Sequence, residues 1–564
     1  MTETSTPVAD AGATPPAPAR TRRWPAVLSV LVPTGLFGLH ALAYGRWLVD
    51  DAAITFAYAR SVATGAGPVL QAGLPPVEGY SNPAWLALLV LGRWTGLFDH
   101  GAWFGVPDYV AYPKVLALVL VAGVFACFHA IASAVSRHPA LVTLGAGSVC
   151  AAVPSLVVWC VSGLENSLLA LAVAGLATVL VRAGARDALA ARGPAVACGL
   201  LAALAALTRP DGLVYIVAYP VAVLLVARRE PLRAVVAVAL SLAAFAVPFG
   251  SHLAFRRATF DAWLPTTAVA KSQGLPTLEG FAKVGDLVDY AGWLAVLAGV
   301  ALVGAGLARP ATRRALVLLL VPLGLAVAAF GVLVPDWMIQ YRFATPVWVL
   351  GALAVALAGA EVLPALRVGG RTVVAAVAVV AAVLSGTQWV AAARSFRAEP
   401  VAPMCLIAQN TGREFNGYAE ILGLPAPTLF APEIGGAALT GTALLTDGAG
   451  LAEPRVAALW AEDDWAGVRD YVLTEVRPSF LRSHGEFRTQ MGFDADPRFL
   501  ADYLLIGPTP NGGGNWVRRE LVADDAVLAR LQEWAVRADA ADAVLRAAPR
   551  ASCGDRLVRG ATTG

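Results

Sequence analysis

The chain has 564 residues, 58% hydrophobic and 14% charged, where soluble domains average about 25% charged residues. Its mean hydropathy is +0.65. This composition excludes an ordinary soluble domain, and a dispersed net charge of +3 argues against nucleic acid as a partner. The sequence reads as a polytopic α-helical membrane protein.

Residues 1–19 are rich in Pro, Thr, Ala and Ser, and 1–23 is expected to be a disordered cytoplasmic N-terminus. A spanning helix needs roughly 20 apolar residues. Eleven stretches are expected to span: 25–48, 112–135, 140–160, 167–183, 193–208, 211–228, 234–254, 291–308, 315–334, 344–362 and 372–392. The first has a rival reading as a signal peptide over 20–45, with "ALA" at 41–43 as its cleavage site; its length and the many later spans argue against that. A further apolar piece, 83–98, contains Arg93 and is flanked by Asn-Pro and Asp-His, so it reads as an interfacial or re-entrant helix.

Of the 39 acidic residues, 22 lie at or beyond residue 393. The chain therefore divides into a membrane domain, 24–392, and a polar C-terminal domain, 393–564. Arginines in short loops mark the cytoplasmic side. With the N-terminus inside, that side holds Arg137, Arg186, Arg192, Arg233, Arg309, Arg313, Arg314, Arg367 and Arg371. Counting 83–98 as a span would reverse the bias. The pattern places the first outer loop, 49–111, and the C-terminal domain on the outer face of the plasma membrane.

That face collects the ionisable residues of the membrane part. The first outer loop carries "RWLVDDAAITFAYAR" at 46–60 and "VEGYSNPAW" at 77–85, with Asp50, Asp51, Tyr58, Glu78, Tyr80 and Asn82. Later loops bring Glu165 in "SGLEN", Arg209 and Asp211 in "TRPDG", then His252, Arg256 and Arg257, Lys271 closing "LPTTAVAK", and Asp336, Trp337 and Arg342 in "PDWMIQYRF". Ionisable groups at a membrane boundary are functional candidates, although any single Arg or Trp at a helix end serves equally as an interfacial anchor. If 50–62 is helical, Asp51, Thr55 and Tyr58 share one face, giving an amphipathic helix along the outer surface. One carboxylate suffices to favour a helix N-terminus; a site that deprotonates a hydroxyl needs a carboxylate base within reach.

The ordered set "DDAAITFAYARSVATGAG", "VEGYSNPAW", "SGLE" (162–165), "RPDG" (209–212), "LPTTAVAK" (264–271), "DWMIQYRF" (336–343) and "EIGGAALTGTALLTDGAGLAEPRVA" (433–457) resembles GT-C glycosyltransferases. More narrowly, it is similar to the terminal arabinofuranosyltransferases of mycolate-type bacterial cell walls. Thr266 stands where that family has Asn, the aromatic pair of the loop is missing, and Glu433 stands where Asp is usual. The resemblance implies a GT-C fold and a polyprenyl-phosphate sugar donor, decaprenyl-phospho-arabinofuranose. It implies a glycan acceptor such as arabinogalactan or lipoarabinomannan. Asp50 and Asp51 match the family's acidic pair, one of them the general base, with Asp50 the first choice. A phosphate leaving group calls for cations, here Arg209, His252, Arg256, Arg257, Lys271 and Arg342; Lys271 is one of three lysines in the chain. Membrane lipids are the remaining partner. Two alternatives stand beside this reading: a transferase using another polyprenyl-phospho-hexose, and a transporter or flippase of lipid-linked sugars. The transporter would place charge at the midplane and show internal repeats, and neither is evident.

The six histidines are scattered, which gives no His-based metal site; a divalent cation at Asp50 and Asp51 is compatible with the sequence, and nothing calls for one. "DADP" at 494–497 and "NGGGNW" at 511–516 lack the strand-turn-helix setting of nucleotide sites, and the second reads as a turn. The C-terminal domain is expected to be α/β or α+β, with a helix over 523–548. Its Tyr418, Trp465 and Trp516 could stack on sugars or fill its core. Cys127, Cys150, Cys160 and Cys198 fall in apolar spans. Cys405 and Cys553 sit near the two ends of the C-terminal domain, where termini often meet, so a Cys405–Cys553 disulfide is expected in an oxidising compartment.

Overall fold

The computed structural model describes residues 24–226, 231–271, 279–509, 512–548 and 553–563. The expected disorder of 1–23 lies outside the described residues. Each of the eleven expected spans coincides with a helix, but not all are full crossings. Seven are long and apolar enough: Trp24–Leu42, Asp108–Val135, Asn166–Ala185, Pro231–Phe260, Pro310–Val332, Arg342–Ala365 and Val368–Ala398. Two more are bent pairs, Pro139–Ala152 with Pro154–Cys160 at 78° and Gly280–Ala291 with Trp293–Leu307 at 100°. The last two are the shorter helices Arg192–Thr208 and Pro210–Val226. The count of eleven thus becomes up to nine full spans among the described residues.

The breaks have local causes. Pro154 and Pro210 supply no N–H to continue a helix. Gly292 bends the second pair at φ +91, and a Cβ there would lie 2.6 Å from Ser385 Oγ. Helix Pro83–Trp94 is short and apolar, as the sequence implied. Peripheral helix Val368–Ala398 leaves Val373, Val379, Val383 and Leu384 exposed, as a lipid-facing surface requires.

The C-terminal domain is an α/β unit. Its strands are β1 (Thr428–Ala431), β2 (Leu444–Asp447), β3 (Phe480–His484), β4 (Tyr503–Pro508) and β5 (Gly513–Arg518). Their spatial order is β2-β1-β3-β5-β4. β1 runs parallel to both β2 and β3, while β5 is antiparallel to β3 and β4. Helix Asp525–Ala547 follows, with Asp524 capping Val527 N–H. Of "NGGGNW", Gly512 closes the turn between β4 and β5, its N–H donating to Thr509 O at 3.1 Å, Gly513–Trp516 open β5, and Asn511 lies outside the described residues. Tyr418 and Trp516 are buried, and Trp465 packs 4.2 Å from Trp460; all three serve the core. Asp496 of "DADP" caps a helix and pairs with Arg469 at 3.0 Å.

The two domains join tightly. Val49 and Pro403 form an antiparallel bridge, and Asp50 N–H donates to Ala402 O at 2.9 Å. Cys405 and Cys553 are disulfide-bonded, Cα atoms 5.3 Å apart. The bond holds the tail 553–563 against the domain. There Asn416 Nδ2 donates to Ala561 O, Tyr109 Oη donates to Asp555 O and Arg413 pairs with Asp555.

Helix Asp50–Ala63 is not the surface amphipathic helix the sequence suggested. Asp50, every residue from Ala52 to Ala59, and Ser61 are buried. Part of the cover is nearby, helix Pro83–Trp94, and part comes from far along the chain: helix Gly435–Thr440 packs on it, and Arg60 Nη1 donates to Leu439 O at 2.8 Å.

Candidate active site

Asp50 and Asp51 open that helix, and successive helical residues point about 100° apart. Asp50 turns toward the C-terminal domain. Its Oδ2 accepts from Gly435 N–H at 3.0 Å and its Oδ1 from Gly436 N–H at 2.7 Å. Only glycine permits this approach, since a Cβ on Gly435 would lie 2.1 Å from Asp50 O. Burial pushes the Asp50 carboxyl up to about 8; the two amides oppose this, while Asp51 and Glu433 add to it. Asp51 turns the other way, stays partly open, and has its Oδ2 3.7 Å from Arg342 Nη1.

A cationic wall faces Asp51. Arg342 is buried and pairs with Asp336 at 2.9 Å. Arg209 is likewise buried, between Glu165 at 2.8 Å and Asp211 at 2.9 Å. The Phe343 ring lies 4.8 Å from the Arg209 guanidinium and 5.1 Å from that of Arg342, within cation–π range of both. Lys271 joins them. It has no ion-pair partner among the described residues, and desolvation, then Arg342, lower its pKa against the pull of Asp51 and Asp336. Trp337 stays exposed beside Asp336.

Arg342 is placed by a strained turn. Gln340 and Tyr341 both have positive φ, 69° and 47°, a costly backbone that persists only when its surroundings fix it. Trp159 Nε1 donates to Gln340 O at 2.9 Å, and Tyr290 Oη donates to the Gln340 side chain at 2.6 Å.

Polar links brace the wall from below. Thr55 Oγ1 donates to Asn82 Oδ1, and Asn82 Nδ2 donates to Glu165 Oε2 at 2.7 Å. Tyr58 Oη donates to Val77 O and accepts from Gly79 N–H, with Tyr80 packed edge-on 5.0 Å away. Glu78 is buried, paired with His252 at 3.1 Å and with Arg256. Arg257, the expected site residue, instead faces out, exposed and paired with Asp261. One helical step separates the two arginines, and Arg256 takes the inward place. Among the described residues no group of three or more His, Cys, Asp or Glu side chains is placed to hold a metal ion.

No family model matches the sequence, and no curated protein sequence matches it. Solved structures do. ArnT from Cupriavidus metallidurans, bound to undecaprenyl phosphate, superposes with a TM-score of 0.55 at 12% identity, covering 89% of this chain and all of that one. The archaeal oligosaccharyltransferase AglB from Archaeoglobus fulgidus, in complex with an inhibitory peptide and a dolichol-phosphate, gives 0.51 at 12% identity over 88% of this chain and 75% of its own. The chain has the GT-C fold. In this chain the amides of Gly435 and Gly436, which the sequence did not single out as site groups, are the partners of Asp50; the adjacent glycines of "EIGG" were the signal available.

Proposed function

We propose that this protein is a membrane glycosyltransferase that moves a sugar, arabinofuranose, from a polyprenyl-phosphate donor to a cell-envelope glycan. The observation that carries the reading is one partly open carboxylate, Asp51, facing Arg342 and Lys271, a cation with no ion-pair partner among the described residues. In the proposed reaction Asp51 takes the proton of an acceptor hydroxyl. The hydroxyl oxygen bonds to the anomeric carbon, and the bond from that carbon to the phosphate oxygen breaks. Polyprenyl phosphate leaves with the electron pair, its charge met by Lys271 and Arg342. Asp50 is a positioning group, since both its oxygens are engaged by backbone amides. In this reading the site and the C-terminal domain lie on the outer face of the plasma membrane, where a lipid delivers the donor.

The test is the purified protein in vesicles with decaprenyl-phospho-arabinofuranose and an arabinofuranosyl disaccharide as acceptor. Transfer is expected. Transfer only from decaprenyl-phospho-mannose, -glucose or -galactose would replace the pentose with a hexose, and no transfer from any of them would sink the proposal.

A further inference from the structure

The sheet of the C-terminal domain has its own ligand geometry. β2, β1 and β3 are adjacent and parallel, so their C-terminal ends reach the same edge. The chain leaves β1 to one side for β2 and then crosses to the other side for β3. Such a reversal opens a crevice at the C-terminal ends of the two diverging strands, where α/β sheets bind ligands. Here that crevice lies between the ends of β1 and β3. Two residues past β1 stands Glu433, and the last residue of β3 is His484. Their side chains meet across it, His484 Nε2 lying 3.0 Å from Glu433 Oε1.

Three further facts aim this pair at the cleft. From Ala431 to Thr440 every residue is buried except Glu433, and the Glu433 and His484 side chains keep 26% and 15% of their surface open. Two residues beyond Glu433, Gly435 N–H holds Asp50, and Glu433 is close enough to Asp50 to act on its charge. His484 is the side chain that hydrogen-bonds the Glu433 carboxylate: burial would raise it, yet the hydrogen bond and charge of His484, then Arg482 and a backbone N–H at Glu433, hold it below the ordinary value. The pair thus presents a carboxylate and an imidazole, acceptor beside donor, on the Asp50 side of the acidic pair.

We infer that Glu433 and His484 form the subsite for the acceptor sugar, binding neighbouring hydroxyls of the ring so that one hydroxyl faces Asp51. A vicinal diol needs a paired acceptor and donor at this spacing, whereas a phosphate needs cations and is disfavoured by the carboxylate. The inference rests on the proposed transferase reading. It assigns the two substrates to different domains: donor phosphate to the membrane loops, acceptor sugar to the switch point of the outer sheet.

The experiment measures full kinetics of Glu433→Gln and His484→Ala in the same vesicle assay, with the two substrates varied separately. Slow hydrolysis of the donor without acceptor is followed as well. Expected is a rise in acceptor KM of about tenfold or more, with donor KM and donor hydrolysis within twofold of the unmodified chain. His484→Gln, which keeps a donor, recovers part of the acceptor affinity. Equal changes in both KM values, or an unchanged acceptor KM, overturn the inference. Thermal midpoints of the variants identify a folding defect, and a variant that fails to fold leaves the decision to His484→Gln, whose acceptor KM alone must then rise. If the unmodified chain transfers no sugar, the transferase reading itself falls, and the two failures are distinguished.

Discussion

The two halves of the molecule offer the acidic pair opposite surroundings. The membrane loops bring cations: Arg209 and Arg342, held by carboxylates and by an aromatic ring, and Lys271 beside them. The C-terminal domain brings neutral backbone amides at Gly435 and Gly436. Because one residue of helix separates them, Asp50 falls to the amides and Asp51 to the cations. The same side chain at adjacent positions is therefore a clasp between domains in one case and a partly open carboxylate in the other. Pairing within the sequence motif says nothing of this division; the surroundings decide it.

The sharpest break is Asp51→Asn. Loss of a general base costs typically 10²–10⁴-fold in rate, so transfer should fall by about that factor while the thermal midpoint stays unchanged. A midpoint that falls with activity would mean Asp51 is also structural.

On the cationic side, Arg342→Ala removes charge-assisted contacts worth roughly 1.5–3 kcal/mol each. The expected result is about a 10–100-fold loss in kcat/KM for the donor. Lys271→Ala should act in the same direction with no effect on stability, since Lys271 has no ion-pair partner among the described residues. Equal losses for donor and acceptor would dissolve the division between the two halves.

On the amide side the readout changes from rate to stability. Gly435→Ala drives a Cβ into Asp50, and overpacking of this kind costs roughly 1–3 kcal/mol. Asp50→Asn turns an NH₂ toward one of two N–H donors and should cost a similar amount. Both should lower the midpoint and speed proteolysis of 393–564, with transfer preserved in the fraction that stays folded. Complete loss of transfer in stably folded Asp50→Asn would return the base to Asp50.

The smallest effect belongs to Arg257→Ala. Its side chain is exposed, so stability and donor kinetics should stay within about 0.5 kcal/mol of the unmodified chain. Arg256→Ala, which strips Glu78 of a buried partner, supplies the contrast in the same assay.

Much of the membrane half was legible because hydropathy is a local property: every expected span coincides with a helix. Its errors were local too. Pro154 and Gly292 bend two spans, and Arg192–Thr208 and Pro210–Val226 are shorter than a full crossing. The charged loop residues were legible as a set, because charge beside apolar helices stands out. Their partners were not. Nothing near residue 50 announces amides at 435 and 436, and the burial of Asp50–Ala63 depends in part on a surface almost four hundred residues away. Arg256 and Arg257 are indistinguishable in sequence until the phase of their helix is known.

The burial of helix Asp50–Ala63 has a consequence for how the protein is made. One side of it, from Asp50 to Arg60, is covered by Gly435–Thr440. A ribosome adding about 5–20 residues per second reaches that segment roughly 20 s to over a minute after finishing the helix. For that interval the newborn chain carries an uncovered, half-greasy segment at the membrane surface. It must wait there in the lipid headgroups or in the keeping of a chaperone, and a stall in translation between the two segments would strand it.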